Sequence, residues 1–480
     1  MICRYNRLLV LSAGVLILFF TGCKKLTDEH NAITDGALNN NLSQLVGSNP
    51  NLSIFAGYLK QTGLDSVVSS SRNYTVFAPV NAALQGLDPA IISSPEKLKK
   101  FVGNHIANQL FAATGTPSKK RILMLNGKYH NMLGSGIEDA TITIADQYAS
   151  NGLLQVIDKA LPALDNIWEF ISSNPNAPAK QKAFMLSLFQ KVFDTSKAVI
   201  TGIDPLTGAP VYQPGTDSIF TNLFWNRVYD LRDEKKQFTV FMLRDAAWDL
   251  EVNKYAPYFV TGTTDSTTRI ASFNVLKDLA IDTVYNPSTI PATILSKFKT
   301  TVPVDRLSIV QTIKTSNGII YIMDKLNVAP QSKFKEYFIQ AENYSATSAN
   351  RRGNTFFREK NNPVTGLDYR DVLVLNHGLA LFNIRYDITE VPSIKYKAYW
   401  VAVNDFQAVT FSQRLSIGST LAASFPYTVV PVNNFNEVYL GEFTNTAYRP
   451  VYNIFLVAAN STAAAANPLV CDYIKLVPSL

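Results

Sequence analysis

"YTVFAPVNAAL" (residues 74–84) returns in altered form as "FTVFMLRDAAWDL" (residues 238–250), and the fold rests on how this repetition is read. Each phrase opens on an apolar, β-branched run, Thr75-Val76-Phe77 or Thr239-Val240-Phe241, which suits a buried strand. Each then meets Asn81 or Asp245, whose side chain can accept a hydrogen bond from an unpaired N–H at a helix start. Ala-rich residues that favour helix follow. Strand, cap and helix are therefore expected twice.

A second phrase also recurs, "NGLLQVIDKAL" (151–161) and "NGIIYIMDKLNV" (317–328). Its Asn-Gly pair predicts a tight turn in which both central residues take positive φ, with the apolar run behind it forming a strand. First and second phrases lie 77 residues apart in one place (74 to 151) and 79 in the other (238 to 317). Two matching phrases at matching spacing imply two tandem copies of one domain.

These residues resemble the two signature blocks of fasciclin-like domains, and "LKKFVGNHIANQLF" (98–111) is similar to the His-containing segment between them, with His105 as its histidine. The resemblance divides the chain into a first domain over 37–164 and a second over 165–329. It implies a β-sandwich wedge flanked by short helices, and a role in adhesion and extracellular binding, not catalysis. In the second copy Met242 and Leu243 replace the family's Ala-Pro, and "NVLKDLAIDTVY" (274–285) has no His in the place of His105. The resemblance therefore carries no adhesive role tied to that His into the second copy. "NIWEFI" (166–171) is expected to begin the second copy's first helix, with Asn166 as its cap. "KQKAFMLSLFQKVF" (180–193) sets Phe184, Leu188, Met185, Phe189 and Val192 at helical spacing and predicts one amphipathic helix. Its stripe is read as core, with a partner groove as the alternative.

From about Gln331 the helical pattern gives way to short alternating runs, "ALFNIRYDITEV" (380–391), "KYKAYWVAV" (395–403), "VYNIFLVAAN" (451–460) and "LVCDYIKLV" (469–477). Several short strands over 330–480 predict an all-β sandwich, so the whole chain is α+β. "FIQAENYS" (338–345) and "LVCDYIKLVP" (469–478) resemble the opening and closing strands of jelly-roll carbohydrate-binding modules of the family 6 type. That resemblance implies a structural Ca²⁺, a hard cation seeking oxygen donors, held by Gln340, Glu342 and Asp472. For Glu342 a plain hydrogen bond to a loop is the alternative. Sugar recognition calls for exposed aromatic faces. Trp400 shares a strand face with Tyr396, Ala398 and Ala402 and reads as core, whereas Tyr369, Tyr427 and Tyr448 lie near Gly, Pro or Asn in loops and are the carbohydrate-binding candidates.

The opening "MICRYNRLLVLSAGVLILFFTGC" (1–23) has a basic start at Arg4 and Arg7 and a short apolar run over 8–20, too short to span a hydrocarbon core that needs about 20 residues. Phe20-Thr21-Gly22-Cys23 resembles the lipobox of bacterial lipoproteins. This implies a signal peptide over 1–22, lipidation of Cys23 and a tether over 23–36; an ordinary secretory signal is the alternative. Lys24 and Lys25 followed by Asp28 and Glu29 are similar to signals that send lipoproteins to the outer face of the outer membrane. Of three cysteines only Cys471 then remains in the folded part, so no intrachain disulfide is expected and Cys471 reads as a small buried hydrophobe.

The net charge of +7 includes Arg4 and Arg7 and is thinly spread, with no basic run interleaved with aromatics, so nucleic acid is not an expected partner. The four histidines, His30, His105, His130 and His377, show no metal spacing, and HExxH, GxSxG and phosphate-cradling Gly patterns are missing. A glycosidase needs only two carboxylates about 5 to 10 Å apart, but the domains the chain resembles are binding folds, and no catalysis is expected. The expectation is a non-enzymatic, lipid-anchored surface protein that captures polysaccharide beside a SusC/SusD-type outer-membrane importer. No cofactor is required beyond the implied calcium. The alternative is an adhesin that binds protein or matrix through the fasciclin-like pair, the jelly roll being structural.

Overall fold

The computed structural model describes residues 36–115, 118–420 and 425–480. The expected signal peptide, Cys23 and the tether up to residue 35 lie outside the described residues. Among the described residues no helix is long and apolar enough to cross a membrane. Two compact units are present. One holds the residues up to 166 with 232–236 and 315–317; the other holds 167–231, 237–314 and 318–480.

The repeated phrases form matching strand pairs. In the first copy Tyr74–Pro79 lies parallel to Gly152–Ile157, with Tyr74 opposite Gly152. In the second, Phe238–Leu243 lies parallel to Gly318–Met323, with Phe238 opposite Gly318. All four strands are buried along their whole length, which is why they read as continuous apolar runs and do not alternate. The first copy extends this pair into a seven-stranded sheet and the second into a four-stranded one. Phe77 N–H donates to the His105 carbonyl and Phe241 N–H to that of Leu279, both at 2.8 Å, so Leu279 stands where the first copy has His105.

The two cap residues act differently from the sequence expectation. Asn81 and Asp245 are the first residues of their own helices, Asn81–Leu84 and Asp245–Tyr255, and neither of these helices has a side-chain cap. Asn81 Oδ1 instead accepts from Ile54 N–H at 3.0 Å, at the start of the helix Ser53–Thr62. Asp245 Oδ1 accepts from Lys180 N–H at 2.9 Å, at the start of Ala179–Leu186. The pattern therefore records a cap given to a neighbouring helix in both copies. Asn81→Ala and Asp245→Ala should each lower stability by about 1 kcal/mol in urea unfolding, as loss of an N-cap does.

The Asn-Gly turns are also corrected. The hairpin loop is Ser150-Asn151, one residue earlier than expected, because Ala149 pairs with Gly152. Asn151 is not among the residues with positive φ. Its buried side chain accepts from Leu42 N–H at 2.9 Å and donates to the Val68 and Ser70 carbonyls, each at 2.7 Å. It fastens three chain segments together. The expected helix over 180–193 is shorter: Ala179–Leu186 is helical, and Phe189–Phe193 is a strand paired antiparallel with Ser218–Asn222. Phe189 and Phe193 suit either period locally, and pairing with a strand some 25 residues away decides between them.

The C-terminal sandwich is antiparallel in its three sheets. Four strands run in the order Tyr337–Gln340, Tyr473–Ser479, Lys395–Val401, Val438–Thr444. A five-stranded sheet centres on Asn383–Val391 and Arg449–Ala458, and a three-stranded one joins Thr355–Asn361, Asp368–Val374 and Leu469–Cys471. Trp400, at 1% exposure, and Cys471, at 0%, lie in the core between them, as read from the alternation for the first and from its apolar run for the second.

Candidate functional site

The run expected as one closing strand is two. Leu469–Cys471 pairs in the three-stranded sheet, Tyr473–Ser479 in the four-stranded one, and Asp472 sits at the crossing. Its backbone is held on both sides: Asp472 N–H donates to Val401 O and Ala341 N–H donates to Asp472 O, both at 2.8 Å. The crossing forms the floor of an open cleft of about 960 Å³. One wall is the hairpin from Thr355–Asn361 to Asp368–Val374. Asn362 shapes its loop by accepting from Val364 N–H at 2.9 Å and fastens it by donating to the Phe435 carbonyl at 3.3 Å. Gly366, with φ 71°, supplies the left-handed residue the turn requires.

Gln340, Glu342, Asp472 and Tyr369 all line this one cleft. Tyr427 and Tyr448 do not. The Tyr427 hydroxyl donates to Ala458 O at 3.0 Å and its ring lies under the Arg414 guanidinium at 5.1 Å. Tyr448 is placed at the contact between the second copy and the sandwich, its ring 5.9 Å from that of Phe259. The three tyrosines are thus not one site.

Three aromatic residues that sequence reasoning missed, Phe338, Phe435 and Tyr473, do line the cleft. Phe338 and Tyr473 pack with ring centroids 4.4 Å apart, and Phe338 is 49% exposed. Gln340 is opposite Tyr473 and Phe338 opposite Lys475, so these four share the outward face, while Ile339 and Ile474 share the inward one. That alternation was available in "DYIKL", where Ile474 and Leu476 mark the core face and leave Tyr473 outside.

The electrostatics are those of an acidic crossing beside a neutralised network. Burial, with Asp371 and Glu342 nearby, pushes the Asp472 carboxyl up to about 7. Glu342 Oε2 is buried without a hydrogen-bond partner. Asp371 is itself raised by burial, while Arg358 pulls the other way through Nε at 2.9 Å and a second bond from Nη2. Burial opposes ionisation of Asp405 too, but bonds from Lys360 and Arg358 win and leave it below the usual range. The Tyr369 hydroxyl is buried with no partner and raised by burial first, then by Asp371 and Asp405. A buried hydroxyl and a buried carboxylate oxygen left open in one cleft are groups a ligand, ion or water would complete.

Among the described residues no three His, Cys, Asp or Glu side chains stand close enough to hold a metal by themselves. The set here is two carboxylates and an amide, all hard oxygen donors, so its chemistry fits calcium only if backbone carbonyls or water complete the shell. The described histidines serve structure. His377 Nε2 bonds the Asn467 carbonyl at 2.6 Å, and His130 Nε2 bonds Asn104 Oδ1 at 2.9 Å. His105 is wholly buried, so no partner can reach it in the folded copy.

The Fasciclin domain family model matches residues 50–163, so that part of the chain is similar to a fasciclin domain. No curated protein matches the chain. Among solved structures, a FAS1 domain pair from the insect cell adhesion molecule Fasciclin I is 16% identical over 59% of this chain and 99% of its own, with a TM-score of 0.23. A family 35 carbohydrate-binding module from Clostridium thermocellum is 15% identical over 30% of this chain and 100% of its own, TM-score 0.21. A β-1,3-glucan binding CBM6 from Bacillus halodurans is 13% identical over 30% and 96%, TM-score 0.20. At these scores and identities the function is left to the chain's own residues.

Proposed function

We propose that this protein binds glycan at the cell surface, without turning it over, in the cleft of its C-terminal sandwich. One observation carries this reading: an open cleft of about 960 Å³ that presents aromatic rings beside fixed amides, carboxylates and bases. Its size is at the upper end of the roughly 300–1,000 Å³ of ligand pockets, enough for a stretch of polysaccharide. Ring faces of Phe338 and Tyr473 suit the C–H surfaces of sugars, and Asn361, Asn436 and Arg370 suit their hydroxyls. In this reading a lipid on Cys23 confines the protein to the outer membrane, facing outward, and the tether raises the local concentration of captured polysaccharide at a SusC/SusD-type importer.

Affinity electrophoresis against plant, host and microbial polysaccharides tests it. At least one polysaccharide should retard the protein, Tyr369→Ala should weaken the retardation roughly tenfold, and Tyr427→Ala, outside the cleft, should leave it unchanged. Retardation untouched by Tyr369→Ala would place the sugar elsewhere.

Calcium completes the same proposal. Gln340, Glu342 and Asp472 would hold the ion, which would neutralise the crossing and stiffen the cleft floor. Millimolar calcium should then raise the melting temperature of the wild type, by an amount corresponding to about 3 kcal/mol at a hundredfold excess over Kd. Asp472→Asn should melt higher than the calcium-free wild type and should not respond to calcium. An equal calcium response in both would remove Asp472 from the site.

Adhesion through the fasciclin-like copies is the second reading, and one observation favours it. Where the first copy passes from Ser53–Thr62 to Leu64–Val68 with only Gly63 between, the second inserts two β-ribbons between Ala179–Leu186 and Leu223–Arg227. These expose Leu206 at 94%, Ile203 at 71% and Phe220 at 68%, an apolar surface of the kind that marks protein contacts. Failure of every polysaccharide to retard the protein, together with surface attachment that is lost when residues 196–216 are removed, would favour it.

A further inference from the structure

Within the second compact unit the second fasciclin-like copy meets the sandwich through fixed backbone contacts. Ser393 N–H donates to Tyr258 O at 2.8 Å and Tyr448 N–H to Val260 O at 2.7 Å. Between these contacts and the helix Thr264–Leu276 lies a cleft of about 240 Å³, apart from the glycan cleft described above and sharing none of its lining residues.

Lys277 and Asp278, adjacent in sequence, part at the end of that helix. Asp278 turns into the core, where it takes a bond from Ser296 Oγ at 2.6 Å and pairs with Lys333. Lys333 also donates to Asn274 O at 2.6 Å, so its charge is already used. Lys277 faces the cleft, its ammonium 5.1 Å from the centroid of the Phe298 ring. Among the described residues no carboxylate or carbonyl accepts a hydrogen bond from it. Across the cleft the Tyr448 hydroxyl is likewise without a hydrogen-bond partner among the described residues, although its ring is fixed against Phe259. Of the carboxylates that line this space, Glu390 pairs with Arg227, and Glu336 is exposed.

A half-buried ammonium with no carboxylate in direct contact is unfavourable unless something supplies one. Burial, with Lys333 and Arg227 nearby, lowers the Lys277 pKa against the pull of Asp278 and Glu390, as expected of a cation short of partners. An unpaired cation, an unpaired hydroxyl and an aromatic face converge on a volume below the roughly 300 Å³ at which drug-sized pockets begin. Such a space admits about one sugar ring and no chain.

We propose that the cleft at the junction binds a single carboxylated sugar unit, a hexuronate, whose carboxylate pairs with Lys277 and whose ring stacks near Phe298 while a ring oxygen or hydroxyl bonds Tyr448. This proposal does not rest on the polysaccharide cleft. Isothermal titration calorimetry of the purified full chain with D-glucuronate, D-glucose and acetate tests it. Glucuronate should bind saturably, and glucose and acetate roughly tenfold or more weakly, since each lacks one half of the match. Lys277→Met should weaken glucuronate binding about tenfold, Lys277→Arg should retain most of it, and Tyr448→Phe should weaken it severalfold. Because Tyr448→Phe removes only a free hydroxyl, it tests the site even if Lys277→Met melts early. Tyr369→Ala should leave this isotherm unchanged, which separates the outcome from that of the glycan cleft. No saturable glucuronate heat, binding undiminished in both Lys277→Met and Tyr448→Phe, or acetate bound as tightly as glucuronate would overturn the proposal.

Discussion

Replacing Gly152 by alanine should unfold the first copy, and Gly318→Ala should do the same to the second. A Cβ on Gly152 would lie 2.0 Å from the Tyr74 carbonyl oxygen and 2.7 Å from Leu42 Cδ1. On Gly318 it would lie 2.0 Å from the Phe238 carbonyl oxygen. Neither neighbour can yield, because Tyr74 and Phe238 are the register partners of these glycines in the buried parallel pair at the centre of each copy. The glycines take φ of 157° and 154°, at the margin of what an L residue adopts, so clash and backbone preference act together. A loss of about 3 kcal/mol or more is expected in urea unfolding, at the top of the range for overpacked core sites. Each substitution should move only the transition of its own copy. A loss under about 1 kcal/mol would mean that the strand pair can spread, contrary to its buried packing.

Acid should open the first copy through His105. Its Nδ1 donates to the Phe101 carbonyl at 2.9 Å and its Nε2 accepts from Leu161 N–H at 2.9 Å, which fixes a neutral ring. Burial, opposed by the Phe101 bond and aided by His130, holds its pKa at about 3. The unfolded chain, with an ordinary value of 6.5, binds the proton more readily between these limits. Stability is therefore complete above pH 6.5 and falls as the pH drops toward 3, by roughly 3 kcal/mol on reaching pH 4. Carboxylates enter lower. Burial raises Asp146, but bonds from Thr114, Ala113 and Gln155 overcome this and hold it at about 2, so its contribution is lost only below the ordinary carboxylate range. His105→Leu, which installs the residue the second copy carries as Leu279, should flatten the profile between pH 6.5 and 4. It should also lower stability at neutral pH, because Leu161 N–H loses its acceptor. An unchanged slope in His105→Leu would assign the acid sensitivity elsewhere.

The same histidine bears on adhesion. A side chain with no exposure and both ring nitrogens engaged contributes by packing, so any adhesive surface must lie elsewhere on the copy. In the second copy the neighbouring position is Asp278, where the first has Asn104. The change from amide to acid brings in Lys333 from the segment that leads into the sandwich. One altered residue thus joins the second copy to the domain that follows it. Breaking one partner of such a buried pair is strongly unfavourable, whereas the intact pair adds little beyond fixing the arrangement.

Much of this molecule was legible in its sequence. The duplication, the buried central strands and the core position of Trp400 follow from spacing and alternation, because a residue's face on a strand is set by its parity and a repeat's spacing by its fold, whereas the grouping of Gln340, Glu342 and Asp472 was implied by the resemblance of the two end strands to jelly-roll modules. What spacing could not say is which other segment each face would meet. Asn81 and Asp245 cap helices other than their own, Asn151 ties two other segments to its own from within the core, and 180–193 breaks into helix and strand because a distant strand pairs with its second half. Tyr369 parts company with Tyr427 and Tyr448 for the same reason, while Phe338 joins Tyr473 across two strand ends nearly 140 residues apart. Local preference assigns each segment a face and a period at a fraction of a kcal/mol per residue, and only the larger, non-local terms of burial and pairing choose the partner.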